Sequence, residues 1–228
     1  MTARPRLRPL LAGGGALLLV AAFLSLGVWQ LQRREWKHAL IAQIDARIHA
    51  APVPVPDQAA WPRISAQDAY RRVVAEGQWL RDRETLVRAT TVLGSGYWVM
   101  TPLRTADGVV LVNRGFIPPE QRDAAMRGEA NSDDPVRVVG LLRLSEPGGG
   151  FLRSNAPAED RWYSRDVTAI AQQRGLGDAA PFFIDAEGAP TPDRYPIGGL
   201  TVIRFADNHL IYALTWFGRA LTLIGVFA

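Results

Sequence analysis

The chain has 228 residues, 48% apolar and 21% charged, enough for one medium domain with a packed core besides membrane segments. It carries 26 basic and 22 acidic residues, but Arg4, Arg6, Arg8 and Arg219 lie in the N-terminal tail or in a terminal apolar run, so the stretch between is neutral. A nucleic-acid binder would carry its excess on the folded face, and that class is excluded. The lack of cysteine excludes a disulfide framework, a Cys-ligated zinc site and a paired-Cys copper site, and Met1, Met100 and Met126 are too scattered for a soft-metal cluster.

After a tail over residues 1–9, Leu10 to Leu31 contains no charged residue. As a helix this run would extend roughly 33 Å, enough to cross a bilayer core. A cleaved signal peptide would have an apolar region of about 7 to 15 residues, whereas this run continues into Trp29 and Gln30, suited to the far interface. Residues 10–31 are therefore read as transmembrane helix 1. Arginines flank the run on both sides, but the short tail has no acidic residue and the other flank opens a large domain, which favours the N-terminus inside and the domain outside.

Residues 32–60 are read as an amphipathic helix followed by a spacer. Trp36, Leu40, Ile41, Ile44 and Ile48 recur at helical spacing, and Ala51 to Pro56, with proline at every second position, forbids helix and favours an extended spacer. From residue 61 to 207 the texture changes to short strand-like runs broken by turns. A short helix is predicted from Ala66 to Arg71 with Ser65 as its N-cap. Strands are predicted over Val73–Trp79, Thr85–Val92, Tyr97–Thr101, Val109–Asn113, Val136–Leu144, Pro181–Ile184 and Leu200–Phe205. Gly94-Ser95-Gly96 is read as a turn, Gly148-Gly149-Gly150 as a flexible loop, and Asp166 to Arg174 as a helix closed by Gly175. Neighbouring strands with few helices indicate an α+β, largely antiparallel β domain.

The last stretch, residues 208–228, starts Asn208-His209-Leu210 and runs on apolar with Arg219 as its only charge. Its length suits a second span, which places His209 where that span meets water. The predicted fold class is thus a membrane protein with two transmembrane α-helices flanking an α+β, largely antiparallel β, extracytoplasmic domain.

No catalytic arrangement emerges, so an enzyme is not expected. The three histidines show no helical metal-site spacing, the serines have no nucleophile-elbow context, and acid pairs such as Asp133 with Asp134 sit in polar turns.

The motifs themselves resemble the surfeit locus protein 1 family of cytochrome c oxidase assembly factors. They run in order as Leu26-Gly27-Val28-Trp29-Gln30, Trp36-Lys37, Arg71-Arg72-Val73 with Gly77, Gly96-Tyr97, and Thr101-Pro102-Leu103. Next come Val112-Asn113-Arg114-Gly115-Phe116-Ile117-Pro118, Glu146-Pro147, Asn155, Trp162-Tyr163, Arg165-Asp166, Asn208-His209-Leu210, Tyr212-Ala213 and Thr215-Trp216-Phe217. The resemblance implies a chaperone of respiratory-chain biogenesis that binds haem a and passes it to oxidase subunit I, with His209 as the iron's axial ligand. It implies subunit I, a haem a synthase and the lipid bilayer as partners, with no nucleic acid. The short, Ser-poor tail is unlike a mitochondrial presequence and assigns the bacterial branch: a multi-pass inner-membrane protein with both termini cytoplasmic and the domain periplasmic.

The residues allow that role without requiring it. An imidazole at a membrane surface can meet a lipophilic haem, and on a helix Tyr212, Ala213 and Trp216 would share its face and could wall a flat macrocycle. His, Tyr and Trp are equally ordinary interfacial anchors. Arg114 has two readings as well: an ion pair within the domain, or a group that receives a haem propionate or docks the oxidase. Arg219 departs from the family's apolar pattern, through snorkelling or through a contact with the first span, a partner or a propionate. Two functional classes follow, a haem a carrier and a scaffold that holds subunit I without binding haem.

Overall fold

The computed structural model describes residues 7–127, 134–150, 152–188, 194–200 and 207–227. In chain order its elements are α1 (Leu7–His49), β1 (Val53–Pro54), β2 (Arg72–Trp79), β3 (Thr85–Thr91), β4 (Gly94–Thr105), β5 (Gly108–Ile117), β6 (Val136–Leu144), β7 (Gly149–Gly150), β8 (Arg153–Ser154), α2 (Val167–Arg174), β9 (Ala179–Ala186) and α3 (His209–Phe227). They form two compact units, α1 as far as Asp45 with α3 in one and residues 46–202, including the last turn of α1, in the other.

In the helical unit, α1 carries the first apolar run and its amphipathic continuation in one uninterrupted helix. Both α1 and α3 are long and apolar enough to cross a bilayer. Their less exposed positions recur at alternating steps of four and three: Ala16, Val20, Phe23, Gly27, Gln30 and Arg34 on α1, and His209, Ala213, Trp216, Ala220 and Leu223 on α3. That spacing makes a straight seam along each helix. Gln30 meets His209 while Phe23 stacks on Trp216, so the helices run antiparallel. Gly27 permits the approach, since a Cβ there would lie 2.4 Å from the Phe217 ring.

The second unit is a closed barrel with added edges. Around it β2, β6, β9, β5 and β4 pair in turn, and β4 returns to β2 through Gln78↔Arg104 and Trp79↔Leu103. Of the five barrel contacts only β5 with β9 is parallel. Alternation along the strands sends Val73, Ala75, Leu103, Val110, Val112, Leu142, Phe182 and Ile184 into the barrel. The opposite parity, Met100, Val109, Leu111 and Phe183, packs outside against Val167 and Ile170 of α2 and against Trp162. Asp166 caps α2 by accepting from the Ala169 N–H, and Gly175, at φ 61°, closes it.

Several expectations shift. The proline-rich stretch, expected as an extended spacer, is extended but paired as a sheet edge: β1 lies parallel to β2, and the Trp61 indole donates to the Pro56 carbonyl at 3.0 Å. The predicted helix from Ala66 to Arg71 is a single 3₁₀ turn, Ala66–Asp68, held by a Ser65–Asp68 capping box. The β3–β4 turn falls on Val92-Leu93, with Gly94 at φ 106° opening β4, so Ser95 and Gly96 are already strand. Gly149-Gly150 is paired with β8 rather than loose. Most of the strand predicted over Leu200–Phe205 lies outside the described residues.

One polar knot ties the barrel wall. The buried Asp185 accepts from Asn113 at 2.8 Å, from Arg143 at 2.8 Å and from Arg165 at 3.0 Å. Three strands and the segment before α2 are thereby joined at one carboxylate. Burial alone would weaken the Arg165 charge, but Asp185 and Glu146 more than offset it and raise its pKa.

Candidate functional site

His209 is the first residue of α3, and its surroundings come from both helices of the unit. Asp207 accepts from the His209 backbone N–H at 3.2 Å, occupying a helix terminus where a carboxylate is favoured. Its other oxygen lies 2.5 Å from His38 Nε2 and 3.7 Å from Arg34 Nε. The hydrogen bond from His38 is the main cause that holds the Asp207 carboxyl below the usual aspartate value, against a smaller effect of burial. Gln30, Arg34 and His38 are four residues apart on α1, so one polar stripe supplies all three.

The decisive contact is at the ring. His209 Nδ1 lies 2.7 Å from Gln30 Oε1. An amide oxygen can only accept, so this contact calls for Nδ1 as the donor, and in the neutral tautomer with that proton the lone pair is on Nε2. In a metal-ligating histidine the nitrogen that does not bind the metal is commonly held by a hydrogen bond of this kind.

The other expected residues separate. Tyr212 is 55% exposed, off the packed stripe, while Ala213 is fully buried within it. Trp216 is engaged in the seam, its ring 5.6 Å from that of Phe23 at 29°, with the Arg219 guanidinium 5.0 Å from its centroid. Arg219 thus shields its charge over an aromatic face, and it lines an apolar groove of about 610 Å³ with Phe23, Thr215, Thr222 and Val226. Arg114 belongs to the barrel unit, where it lies 3.9 Å from Glu84 and 5.2 Å from the Trp79 ring. Its neighbours are structural too: Asn113 bonds Asp185, and Gly115, at φ 131°, lets Ile197 approach so closely that a Cβ would sit 2.2 Å from its carbonyl oxygen.

Sequence reasoning missed Gln30, His38, Asp207 and Phe23. The signal for the first two was present, a polar residue at every fourth position across the end of an apolar run. Among the described residues no group of three or more His, Asp or Glu could hold a bare metal ion.

A membrane protein with two spanning-length helices, one on each side of a closed β-barrel domain in the sequence, and a histidine at the head of the last helix, is the class these features define. The chain matches the profile of the SURF1 family over residues 17–221. It is 36% identical over 219 residues to surfeit locus protein 1 of Mus musculus, covering 89% of this chain and 70% of that protein. It is 36% identical over 220 residues to the Homo sapiens protein, covering 89% and 71%, and 36% identical over 230 residues to the SURF1-like protein of Monosiga brevicollis, covering 92% and 86%. The chain belongs to the SURF1 family, and membership sets it among non-catalytic proteins.

These relatives are eukaryotic, which overturns the assignment to the bacterial branch and, with it, the bacterial inner membrane, the cytoplasmic placement of both termini and the periplasmic placement of the domain. That assignment rested on the short tail ahead of α1, and tail length is no measure of compartment.

Proposed function

We propose that the chain is an assembly factor for cytochrome c oxidase that carries haem a on His209 and delivers it to oxidase subunit I, with a haem a synthase as the source of the cargo. Family membership supports the assembly role. The observation that carries the haem reading is the Gln30–His209 hydrogen bond, which engages Nδ1 and in the neutral tautomer would leave Nε2 as the donor atom. Haem iron takes such an axial nitrogen, and the bound cargo would supply the redox centre of its recipient. Exposed Tyr212 stands one turn on and can pack on the macrocycle, and Trp216 can do so by leaving Phe23.

A second reading has its own support. Trp216 is already stacked and Tyr212 lies off the seam, so among the described residues these two form no preformed aromatic slot at His209, as suits a scaffold that holds subunit I without haem. The test is to purify the protein and its His209→Ala variant from cells that make haem a, and to record absorption spectra beside the haem content of the oxidase. Loss of the haem spectrum and of oxidase haem in the variant is the expected result. A parent protein that never carries haem, or a variant strain with full oxidase haem, leaves the scaffold reading standing and the carrier reading refuted.

A further inference from the structure

β3 ends the sheet, and its outer edge is bridged by the segment before α2, where the Arg88 N–H donates to the Trp162 carbonyl at 2.9 Å. Asn155 pins that segment, its side-chain oxygen accepting from the N–H groups of Tyr163 at 2.8 Å and Ser164 at 3.2 Å. The result is a preformed cleft of about 300 Å³ lined by Arg88, Thr90, Ser95, Tyr97, Arg153 and Tyr163. The motif residues Asn155 and Trp162-Tyr163, which the haem reading leaves without a role, build this cleft.

Its charge is unbalanced. Arg88 and Arg153 both lie over the Tyr163 ring, at 5.6 and 5.4 Å, and Arg122 lies 5.6 Å from the Tyr97 ring. Arg143, Arg165, Arg127 and Arg174 each pair with a carboxylate and the charge of Arg122 acts on Asp160 in the neighbouring cleft, but among the described residues Arg88 and Arg153 have no carboxylate in ion-pair contact. In a domain whose overall charge is neutral, guanidiniums gathered on tyrosine faces beside two hydroxyls form a site for a phosphate.

The walls add an apolar requirement. The β3–β4 turn exposes Val92 by 84% and Leu93 by 51%, directly beyond the Thr90↔Ser95 pair that lines the cleft. On the other wall Leu152, next to Arg153, is 88% exposed. A ligand that offers phosphate and hydrocarbon at a fixed separation is a membrane phospholipid. The domain is joined covalently at each end to a helix long enough to span a bilayer, which keeps lipid within reach. We propose that this cleft binds a phospholipid phosphate and that the Val92-Leu93 and Leu152 tips enter the lipid surface, clamping the barrel's β3 edge to the membrane.

The absence of cysteine allows a direct test on the full chain. Val92→Cys, labelled with an environment-sensitive fluorophore, is reconstituted in nanodiscs of phosphatidylcholine alone and of phosphatidylcholine with phosphatidylglycerol, with Arg137→Cys on β6 as a second label position. The expected result is blue-shifted emission at position 92 with a several-fold smaller acrylamide quenching constant than at position 137, stronger in the anionic discs. Adding Arg88→Ala and Arg153→Ala should return position 92 to the values at 137 while the melting temperature holds. Emission at position 92 equal to that at 137 in both lipids refutes the proposal. So does a shift that survives loss of both arginines, or a shift in detergent that needs only inorganic phosphate or an acidic peptide.

Discussion

The Gln30–His209 contact makes a prediction whose sign depends on the chemistry of the acceptor. Gln30→Leu keeps the volume of the side chain in the seam but removes the oxygen 2.7 Å from His209 Nδ1. The ring then loses both its orientation and the bias toward a protonated Nδ1. Loss of such a supporting group costs about 10- to 100-fold in metal affinity, roughly 1.4 to 2.7 kcal/mol. Gln30→Glu replaces a neutral acceptor with an anionic one, which makes Nε2 the stronger donor, and its affinity should equal or exceed that of the parent. The assay is an absorption titration of the purified full chain with haem a, in detergent, for the parent, both variants and His209→Ala. If Gln30→Leu binds within about twofold of the parent while His209→Ala fails to bind, tautomer control by Gln30 is wrong even though the ligand is right. If both Gln30 variants weaken binding alike, the residue matters as packing and not as an acceptor.

The buried carboxylate of the barrel gives a stability prediction. Asp185→Ala strips the acceptor from Asn113, Arg143 and Arg165 while the side chains stay enclosed, and breaking a buried pair in this way costs about 3 to 5 kcal/mol. For a unit of this size that lowers the melting temperature by roughly 6 to 20 °C, read by thermal unfolding of the full chain; a fall below about 3 °C would show that Glu146 alone suffices for the two arginines. A second carboxylate predicts a pH dependence. Burial pushes Asp160 upward, but hydrogen bonds from Arg174 and Trp162 and the charges of Arg174 and Arg122 outweigh it and hold the group below its ordinary value. A depressed folded pKa contributes stability that is complete above the unfolded value and is lost as pH falls through the folded one. Asp160→Asn should therefore lower the melting temperature near neutrality and flatten its decline below about pH 4; parallel profiles for parent and variant would count against it.

Where the controlling forces were local, the sequence showed the structure. Val136–Leu144 emerges as β6 with those bounds, because its apolar and β-branched residues are bracketed by Pro135 and Ser145. Helix α2 emerges because Asp166 and Gly175 each satisfy an end of it. Barrel closure was not legible, since it rests on two residue pairs between β2 and the second half of β4, a register set by packing and not by either strand alone. The pairing of the proline-rich edge was not legible for a related reason: Pro54 cannot donate, yet a parallel edge strand tolerates it, and Val55 still donates to Val74 at 2.9 Å. At the site, His209 was legible as a polar residue at the mouth of an apolar run, whereas its partner Gln30 is 179 residues away and only the pairing of the helices reveals it.

That pairing bears on how a carrier could work. A protein that keeps haem needs a deep slot; one that passes haem on needs an affinity low enough to surrender it. Here Gln30 holds the His209 ring at Nδ1, yet the aromatic groups that could deepen a site there are committed elsewhere, Trp216 to Phe23 and Arg219, and Tyr212 to the outside of the seam. Occupation by haem would have to displace the Trp216 stack or do without it, and either way part of the binding free energy is withheld. Strengthening the empty seam should therefore weaken haem retention and speed transfer, while Phe23→Ala, which releases Trp216, should slow it. The same seam relates the two functional readings physically: a helix pair whose packing competes with haem is a scaffold when closed and a carrier when it yields.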